Sequence, residues 1–295
     1  MPTRDERRAG AAKNLALMRG AFAGDTAKTI ENAKIYEDGE GRELELPEVE
    51  EGTVTTTSVT SDFAVKALHA AHGKVVLVDP CSFTRPGGAY EDGAFGPEQI
   101  LCSESNLYPV LQGCKSAYHD ANRGFASGQL FTDRALYLPD VTFTRDGEIR
   151  HADVLAIPEP NRARALENHR SEREIEVALG ARIEALLRIA AASGAETLIV
   201  GAFGAGPQGF DAEVVIELFR AWIAAHPGAI GHITFAVPRA AFGAFDDAFG
   251  AFDDAFGEVR EAAPQPTDVT ADATAQDDED EFDPNDLPEG VTFRS

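Results

Sequence analysis

Residues 74–111, KVVLVDPCSFTRPGGAYEDGAFGPEQILCSESNLYPVL, decide the fold of this chain. The stretch opens with an apolar, β-branched run at residues 75–78, which predicts a buried strand. A loop carrying Pro86, Gly87 and Gly88 follows, and helical spacing of apolar residues returns from Glu98. A strand that passes through glycines into a helix N-terminus presents backbone N–H groups, which suits a phosphate or a ribose. An ordinary surface loop is the alternative on the glycines alone.

The composition predicts one large globular domain. The 295 residues are 43% hydrophobic and 26% charged, which is enough to form a sizeable core. The formal net charge of −24 repels nucleic-acid phosphates, so we expect no direct nucleic-acid binding. Three cysteines without metal-ligand spacing or an even count predict reduced thiols. With no secretory signal and no membrane-spanning run, we expect a cytoplasmic, monomeric protein that does not associate with membranes.

Three segments follow from composition and periodicity. Residues 1–52 are predicted to be a helical extension packed on the core, with two helices between residues 3 and 35 and a polar connector. Residues 53–262 are predicted to form the main α/β domain. Residues 263–295 are rich in Asp, Glu, Pro and Thr and are predicted to be an acidic disordered tail. A tandem repeat at residues 241–257 is interpreted as a duplication that lengthens the last helix.

Strand and helix patterns alternate along the main domain. Helices are predicted at residues 63–72, at 169–192 with Val177 among the buried side chains, and from Asp211 to Trp222. The Asp146-Gly147 pair predicts a hairpin turn. The alternation predicts a layered α/β sandwich whose sheet is not wholly parallel. Further strands are predicted at residues 53–60, 128–131, 135–138, 153–157, 197–200 and 232–237.

A second glycine loop, GAFGAGPQGF at residues 201–210, lies between a predicted strand and a predicted helix. It contains a literal G-x-G-x-x-G, the dinucleotide-binding pattern. Only one further strand follows, and no acidic residue lies where a ribose 2′-hydroxyl would need one, which disfavours a Rossmann domain. A diphosphate-binding loop is therefore predicted, with a purely structural loop as the alternative.

The two loops together resemble those of the microbial-type poly(ADP-ribose) glycohydrolase family, which has a macrodomain-like fold. The first family loop reads P-G-G-G, a spacer, Q-E-E-x-L-C and a leucine-tyrosine pair. This chain matches it without a gap through Pro86-Gly87-Gly88-Ala89, Pro97-Glu98-Gln99-Ile100-Leu101-Cys102 and Leu107-Tyr108. Ala89 replaces the third glycine, and Gln99 replaces the glutamate that is the catalytic acid of the family. In the second loop, Gln208 replaces an aromatic residue that packs near the ligand.

The resemblance implies an α/β fold, a macrodomain-like three-layer α/β/α sandwich with a mixed central sheet and an N-terminal helical extension. It implies ADP-ribose, or ADP-ribosylated proteins, as the partner, with no cofactor; the histidine spacing predicts no metal site. Glu98 and Gln99 are the candidate catalytic residues. The candidate ligand-binding residues are Asp79, Gly87, Gly88, Ala89, Gly201, Ala202, Phe203, Gly204, Ala205, Gly206, Gly209 and Phe210.

The chemistry of Gln99 leaves two functions open. Glycoside cleavage needs an acid to protonate the leaving oxygen and then a base to activate water, and an amide does neither. One hypothesis is a hydrolase that uses Glu98; the other is a non-catalytic ADP-ribose reader. For Glu98 the alternative is a favourable charge in the first turn of a helix. For Asp79 the alternatives are a hydrogen bond to the ligand and closure of a turn.

Overall fold

A seven-stranded mixed sheet runs through the part of the chain that the computed structural model describes, residues 2–239 and 245–257. The strands are β1 (Lys34–Tyr36), β2 (Thr56–Thr60), β3 (Val75–Asp79), β4 (Ala135–Arg145), β5 (Glu148–Ala156), β6 (Thr197–Val200) and β7 (His232–Ala236). Their order across the sheet is β1-β4-β5-β3-β6-β7-β2. Strand β4 pairs antiparallel with β1 and β5, and all other neighbours pair in parallel. The predicted mixed sheet is confirmed.

Helices cover both faces of this sheet. They are α1 (Arg4–Gly20), α2 (Ala23–Glu31), α3 (Ala64–Ala70), α4 (Pro97–Ser103), α5 (Leu107–Gly113), α6 (Arg162–Glu167), α7 (Glu172–Ala192), α8 (Ala212–Ala225) and α9 (Phe245–Phe256). Helices α7, α8 and α9 share one hydrophobic core with the sheet, and α1, α3, α4 and α5 share the other. The expected three-layer α/β/α sandwich is therefore confirmed. The residues predicted as a tail, 263–295, lie outside the described residues.

Strand β3 is the centre of both cores. Val76 and Val78 face the core of α7 and α8, whereas Val75 and Leu77 face the opposite core. All of its residues are buried, as expected for a parallel strand covered on both faces. Its last residue, Asp79, is 0% exposed, and neither carboxyl oxygen has a hydrogen-bond partner among the described residues.

Helix α7 begins later than predicted and buries a different set of residues. Ser171 and Glu174 form a capping box, which places the first helical residue at position 172 instead of 169. Val177 was predicted to be buried, which is wrong, because its side chain is 64% exposed. It lies two residues from Ile175 and from Leu179, and a spacing of two places side chains on opposite faces of a helix.

Residues 128–131 do not form the predicted strand. The segment Ser127–Gln129 is a 3-10 turn, and Ser127, Gln129 and Phe131 have φ angles of 47°, 74° and 60°. Left-handed backbone does not fit a sheet ladder, so the apolar pair Leu130-Phe131 misled the prediction. Conversely, strand β1 was not predicted, because three residues are too few to show alternation. The hairpin turn at Asp146-Gly147 is confirmed between β4 and β5.

The phenylalanine repeat forms helix α9, as far as the described residues reach. Phe249, Phe252 and Phe256 are buried at spacings of three and four, which is the inner stripe of a helix. The ring of Phe256 stacks on that of Phe235 in β7, with centroids 4.3 Å apart. The helix therefore covers the sheet near its β7–β2 edge. Residues 240–244 are not among the described residues.

We predict that Asp79→Asn stabilises the protein at alkaline pH. Burial, together with the nearby Glu98 and Glu159 carboxyls, raises the pKa of Asp79 well above its usual value. The folded state therefore holds a proton that the unfolded chain releases near pH 4, so Asp79 costs the fold more stability as pH rises from that value. The amide has the same shape and carries no charge at any pH. In thermal melting, the amount by which the Tm of Asp79→Asn exceeds that of wild type should be larger at pH 8 than at pH 5. Each kcal/mol of added unfolding free energy should raise the Tm by about 2–4 °C.

The control for that experiment is Asp146→Asn in the β4–β5 turn. The Asp146 side chain is 90% exposed, so its removal should change stability by less than about 0.5 kcal/mol at either pH. An Asp79→Asn protein that melts below wild type at pH 8 would show that the carboxylate is stabilised by a group that its surroundings do not reveal.

Candidate functional site

A cavity of about 320 Å³ opens at the sheet edge where the parallel strands β2, β3, β6 and β7 end. The carboxyl ends of parallel strands are the usual ligand-binding edge of an open α/β sheet. The rings of Phe63 and Phe95 meet edge to face in its wall, with centroids 6.2 Å apart. Among the described residues that line the cavity, none is Lys or Arg, and the charged one is Glu159. Any anion bound here depends on backbone N–H groups.

The loop at residues 201–210 forms one side of the cavity. Gly204, Gly206 and Gly209 have φ angles of 87°, 72° and 90°, in the left-handed region that favours glycine. A Cβ at Gly204 would lie 2.9 Å from Leu179 Cδ1, which leaves no room for a side chain behind the loop. The loop is therefore a tight backbone turn against the core, and its other face is open to the cavity.

The structure divides the predicted residues of this loop into two groups. Those that line the cavity are Gly201, Ala202, Phe203 and Ala205, together with Gln208. Gly204, Gly206 and Gly209 shape the turn. Phe210 is 6% exposed and packs in the core shared with α7 and α8, where it does not line the cavity. The predicted ligand contact therefore lies nearer to Gln208 than to Phe210.

Glu98 stands in the first turn of α4 and is 4% exposed. Its Oε2 accepts hydrogen bonds from Ser82 N at 3.1 Å and from Ser82 Oγ at 2.8 Å, while Oε1 has no partner among the described residues. Burial raises the pKa of Glu98 to about 7, and the bonds from Ser82 oppose that rise. A fixed carboxyl that titrates near neutral pH suits general acid–base chemistry. A solvated helix-dipole charge would not be buried in this way.

Gln99 lies on the side of Glu98 that faces the first glycine loop. Its Nε2 donates to the Gly87 carbonyl oxygen at 3.1 Å and lies 3.5 Å from Glu98 Oε2. Gly87 and Gly88 have φ angles of 64° and 56°, and a Cβ at Gly88 would lie 2.9 Å from both Gln99 Nε2 and Ser82 Oγ. The glycines thus allow the loop to approach the two candidate catalytic side chains. Glu98, Gln99 and residues 87–89 do not line the cavity itself, whereas Pro97, Ile100 and Leu101 of the same helix α4 do.

Helix α1 holds this first loop in place, a role that the sequence did not indicate. Arg4 Nε donates to the Asp92 carbonyl oxygen and Arg7 Nε to the Gly93 carbonyl oxygen, each at 2.9 Å. Asn14 Nδ2 donates to the Cys102 carbonyl oxygen at 2.7 Å at the end of α4. The N-terminal segment therefore fixes both the loop and the helix that carries Glu98.

Glu159 is a site residue that sequence reasoning missed. It follows β5 between two prolines, lines the cavity, and accepts a hydrogen bond from Gly204 N at 2.9 Å. Burial raises the pKa of Glu159 to about 7, against hydrogen bonds from Gly204 and the Gln208 side chain. The signal that was available is a carboxyl at the carboxyl end of a buried parallel strand, which is where ligands bind in such sheets.

The described ranges, 2–239 and 245–257, contain neither a metal-binding cluster nor a membrane-spanning helix. No three His, Cys, Asp or Glu side chains there are grouped to hold a metal ion. No helix in those ranges has the length and apolarity needed to cross a bilayer. Cys81, Cys102 and Cys114 are free and buried, and burial raises the pKa of each thiol. They therefore act as packing residues.

Known proteins share this fold and motif. Residues 10–146 match the family model described as "Microbial-type PARG, catalytic domain". Poly(ADP-ribose) glycohydrolase from Thermomonospora curvata is 27% identical with a TM-score of 0.75, covering 85% of this chain and 99% of its own. The same enzyme bound to the inhibitor ADP-HPD gives 27% identity and a TM-score of 0.71, covering 83% of this chain and 98% of its own.

A second bacterial enzyme gives a similar result. Poly(ADP-ribose) glycohydrolase from Deinococcus radiodurans in complex with ADP-ribose is 25% identical with a TM-score of 0.66, covering 78% of this chain and 96% of its own. No curated protein matches the chain by sequence. The family model covers the first glycine loop and α4, and the structural matches extend over most of the chain. Residues 10–146 therefore match the microbial-type poly(ADP-ribose) glycohydrolase family, and the fold of most of the chain is similar to that of its solved bacterial members.

Proposed function

We propose that this chain binds ADP-ribose in the 320 Å³ cavity and cleaves the glycosidic bond of its distal ribose in ADP-ribose polymers or adducts, with Glu98 as the proton-transfer group. Relatives of known structure were solved with ADP-ribose or ADP-HPD bound, which supports the ligand class. The observation that carries the chemistry is Glu98 itself: one oxygen is fixed by Ser82, the other has no partner among the described residues, and the pKa is raised to about 7.

The surfaces of the cavity fit the parts of ADP-ribose. The apolar wall around Phe63 and Phe95 suits the adenine ring, whose faces gain from aromatic contact. The glycine turn at residues 201–209 suits the diphosphate, because its backbone N–H groups can donate to phosphate oxygens. The distal ribose then lies toward Gly87, Gly88 and Glu98, where loop and α4 meet.

The proposed reaction uses Glu98 twice. In the protonated form it donates its proton to the glycosidic oxygen as the bond from that oxygen to the anomeric carbon breaks. The resulting carboxylate then accepts a proton from a water molecule whose oxygen forms the new bond to the same carbon. Glu98 ends protonated, as it began, and the net change is the addition of water across the glycosidic bond. Gln99 positions the loop through its bond to the Gly87 carbonyl oxygen and transfers no proton.

A non-catalytic ADP-ribose reader is the second candidate. The observation in its favour is Gln99, because an amide stands where the family has its catalytic glutamate. A reader would retain the cavity and the diphosphate loop and would bind ADP-ribose without turnover. The dinucleotide-dependent oxidoreductase considered from the G-x-G-x-x-G pattern is disfavoured by the family; it would require NAD to bind at least as tightly as ADP-ribose.

Gln99→Glu should create or raise hydrolysis of poly(ADP-ribose). The substitution restores a carboxyl beside the distal ribose, and a positioned general acid–base contributes on the order of 10²–10⁴ in rate. Turnover is measured as ADP-ribose release. Ser103→Glu, which adds the same charge at the exposed end of α4, should leave turnover unchanged. An unchanged rate in Gln99→Glu would contradict the placement of Gln99 at the catalytic position.

Glu98→Gln should abolish any turnover of the wild type while ADP-ribose still binds. The amide oxygen can still accept the hydrogen bonds from Ser82, so the fold is kept, but no proton can be transferred. The rate of release should fall by about 10²-fold or more. Calorimetric titration should give a Kd close to that of wild type. A wild type that binds ADP-ribose without measurable release would favour the reader, and equal rates in wild type and Glu98→Gln would remove Glu98 from the mechanism.

A further inference from the structure

Glu159 occupies the donor face of the glycine turn. Its Oε1 accepts from Gly204 N at 2.9 Å, and the Gln208 side chain also hydrogen-bonds to this carboxyl. Gly204 is the first of the three left-handed glycines of the turn that lines the cavity. The Glu159 carboxylate thus accepts from the backbone N–H group to which an anionic ligand would be expected to bind.

The backbone on each side of Glu159 is fixed. Arg182, buried on α7, donates from Nη1 to the Pro158 carbonyl oxygen and from Nη2 to the Leu130 carbonyl oxygen at 3.2 Å. Asn161 N donates to the Gln129 carbonyl oxygen at 3.0 Å, and Asn161 Oδ1 accepts from Arg164 N at 2.9 Å at the start of α6. These hydrogen bonds hold the backbone before and after Glu159 in place.

The charged groups around Glu159 do not neutralise it. Asp79 at the end of β3 is repelled by both Glu159 and Glu98 on α4. Arg182 on α7 uses its Nη1 and Nη2 on backbone carbonyl oxygens, and Arg162 on α6 pairs with Glu172 at 2.7 Å. Among the described residues, no ion pair joins a cation to Glu159. An ionised Glu159 and a bound diphosphate would therefore repel each other at close range.

We propose that Glu159 gates the diphosphate loop: its carboxylate takes the place of a phosphate oxygen at Gly204 N–H, so that ligand binding requires Glu159 to be protonated or displaced. The inference rests on the proposed function, because it takes the 201–209 turn as the diphosphate site. Glu159 is then a specificity residue, because the binding of a diphosphate ligand is coupled to the protonation of its carboxylate.

The sign of the effect follows from the charges. The diphosphate of ADP-ribose stays fully ionised between pH 6 and pH 9, whereas Glu159 has a pKa of about 7 in the ligand-free site. A bound diphosphate raises that pKa further, so binding takes up a proton above pH 7. Affinity is therefore greatest at pH 6.5 and lower, and weakens as pH rises.

The test is calorimetric titration of the full chain with ADP-ribose at pH 6.5 and pH 8.5, in pairs of buffers with different ionisation enthalpies. For one ionisation at a pKa of about 7, the wild-type Kd should rise on the order of 20-fold between the two pH values, with proton uptake at the higher one. In Glu159→Gln the rise should fall to about threefold or less. The amide oxygen still accepts from Gly204 N, so the loop keeps its shape.

Two controls separate the gate from general effects of charge. Glu213→Gln removes the same charge from the exposed first turn of α8, close to the loop, and should keep the wild-type pH dependence. Adenosine, which lacks the diphosphate, should bind wild type with a Kd that changes by less than about threefold between the two pH values.

The outcomes are distinguishable. Two results would overturn the gate and leave the proposed function standing. In one, the ratio of the ADP-ribose Kd at pH 8.5 to that at pH 6.5 is the same in wild type and Glu159→Gln; in the other, the wild-type Kd does not change with pH. No binding by either protein at either pH would overturn the proposed function and the gate together.

Discussion

The parallel pairing of β3 on both of its edges is the constraint on which the rest of the structure depends. Because β5 and β6 flank it and helices cover both faces, its residues are withdrawn from water along their whole length. Because β3, β6 and β7 are parallel, their carboxyl ends lie at the same edge of the sheet, and the chain leaves all three strands there. Both glycine loops follow strands that end at that edge, and the second loop, together with α4 and the residues just before it, lines the cavity.

The same burial gives the site its electrostatic character. Asp79, Glu98 and Glu159 are three carboxyls from three different segments, and desolvation raises the pKa of each. In water such groups would be ionised at pH 7, but here burial favours the protonated form of each, and the pKa values of Glu98 and Glu159 are raised to about 7. A protein of formal net charge −24 can therefore offer a site for an anion, provided that these protons remain and that backbone N–H groups do the binding.

The N-terminal segment is a structural part of this site. Helix α1 bonds to the first loop through Arg4 and Arg7, and β1 pairs with β4 at the edge of the sheet. The family match likewise begins at residue 10, within α1. The segment that carries Ser82, Gly87 and Gly88 is thus held on one side by α1 and on the other by Glu98, which accepts from Ser82, and by Gln99, which donates to the Gly87 carbonyl oxygen. Its left-handed conformation is maintained by contacts from both sides.

Most of the layered fold could be predicted from the sequence, because long apolar periodicities and glycine loops are local signals. The strands at β3, β6 and β7, the helices α7 and α8, and the mixed sheet were predicted in this way. Short or strained elements were not. Strand β1 is too short to show a pattern, and the turn at residues 127–131 has strand-like residues in left-handed conformations.

The sequence by itself determined the two glycine loops and the resemblance of their residues to the microbial-type poly(ADP-ribose) glycohydrolase family, since both are matters of residue type and spacing. Only the tertiary structure decided which hydrogen-bond partners and which degree of burial these residues have. It brought Glu159 from the end of β5 onto Gly204, turned Phe210 into the core, and fixed Glu98 on Ser82. The physical reason is that a pKa or an unsatisfied oxygen depends on burial and on neighbours distant in the chain, which no local pattern of residues records.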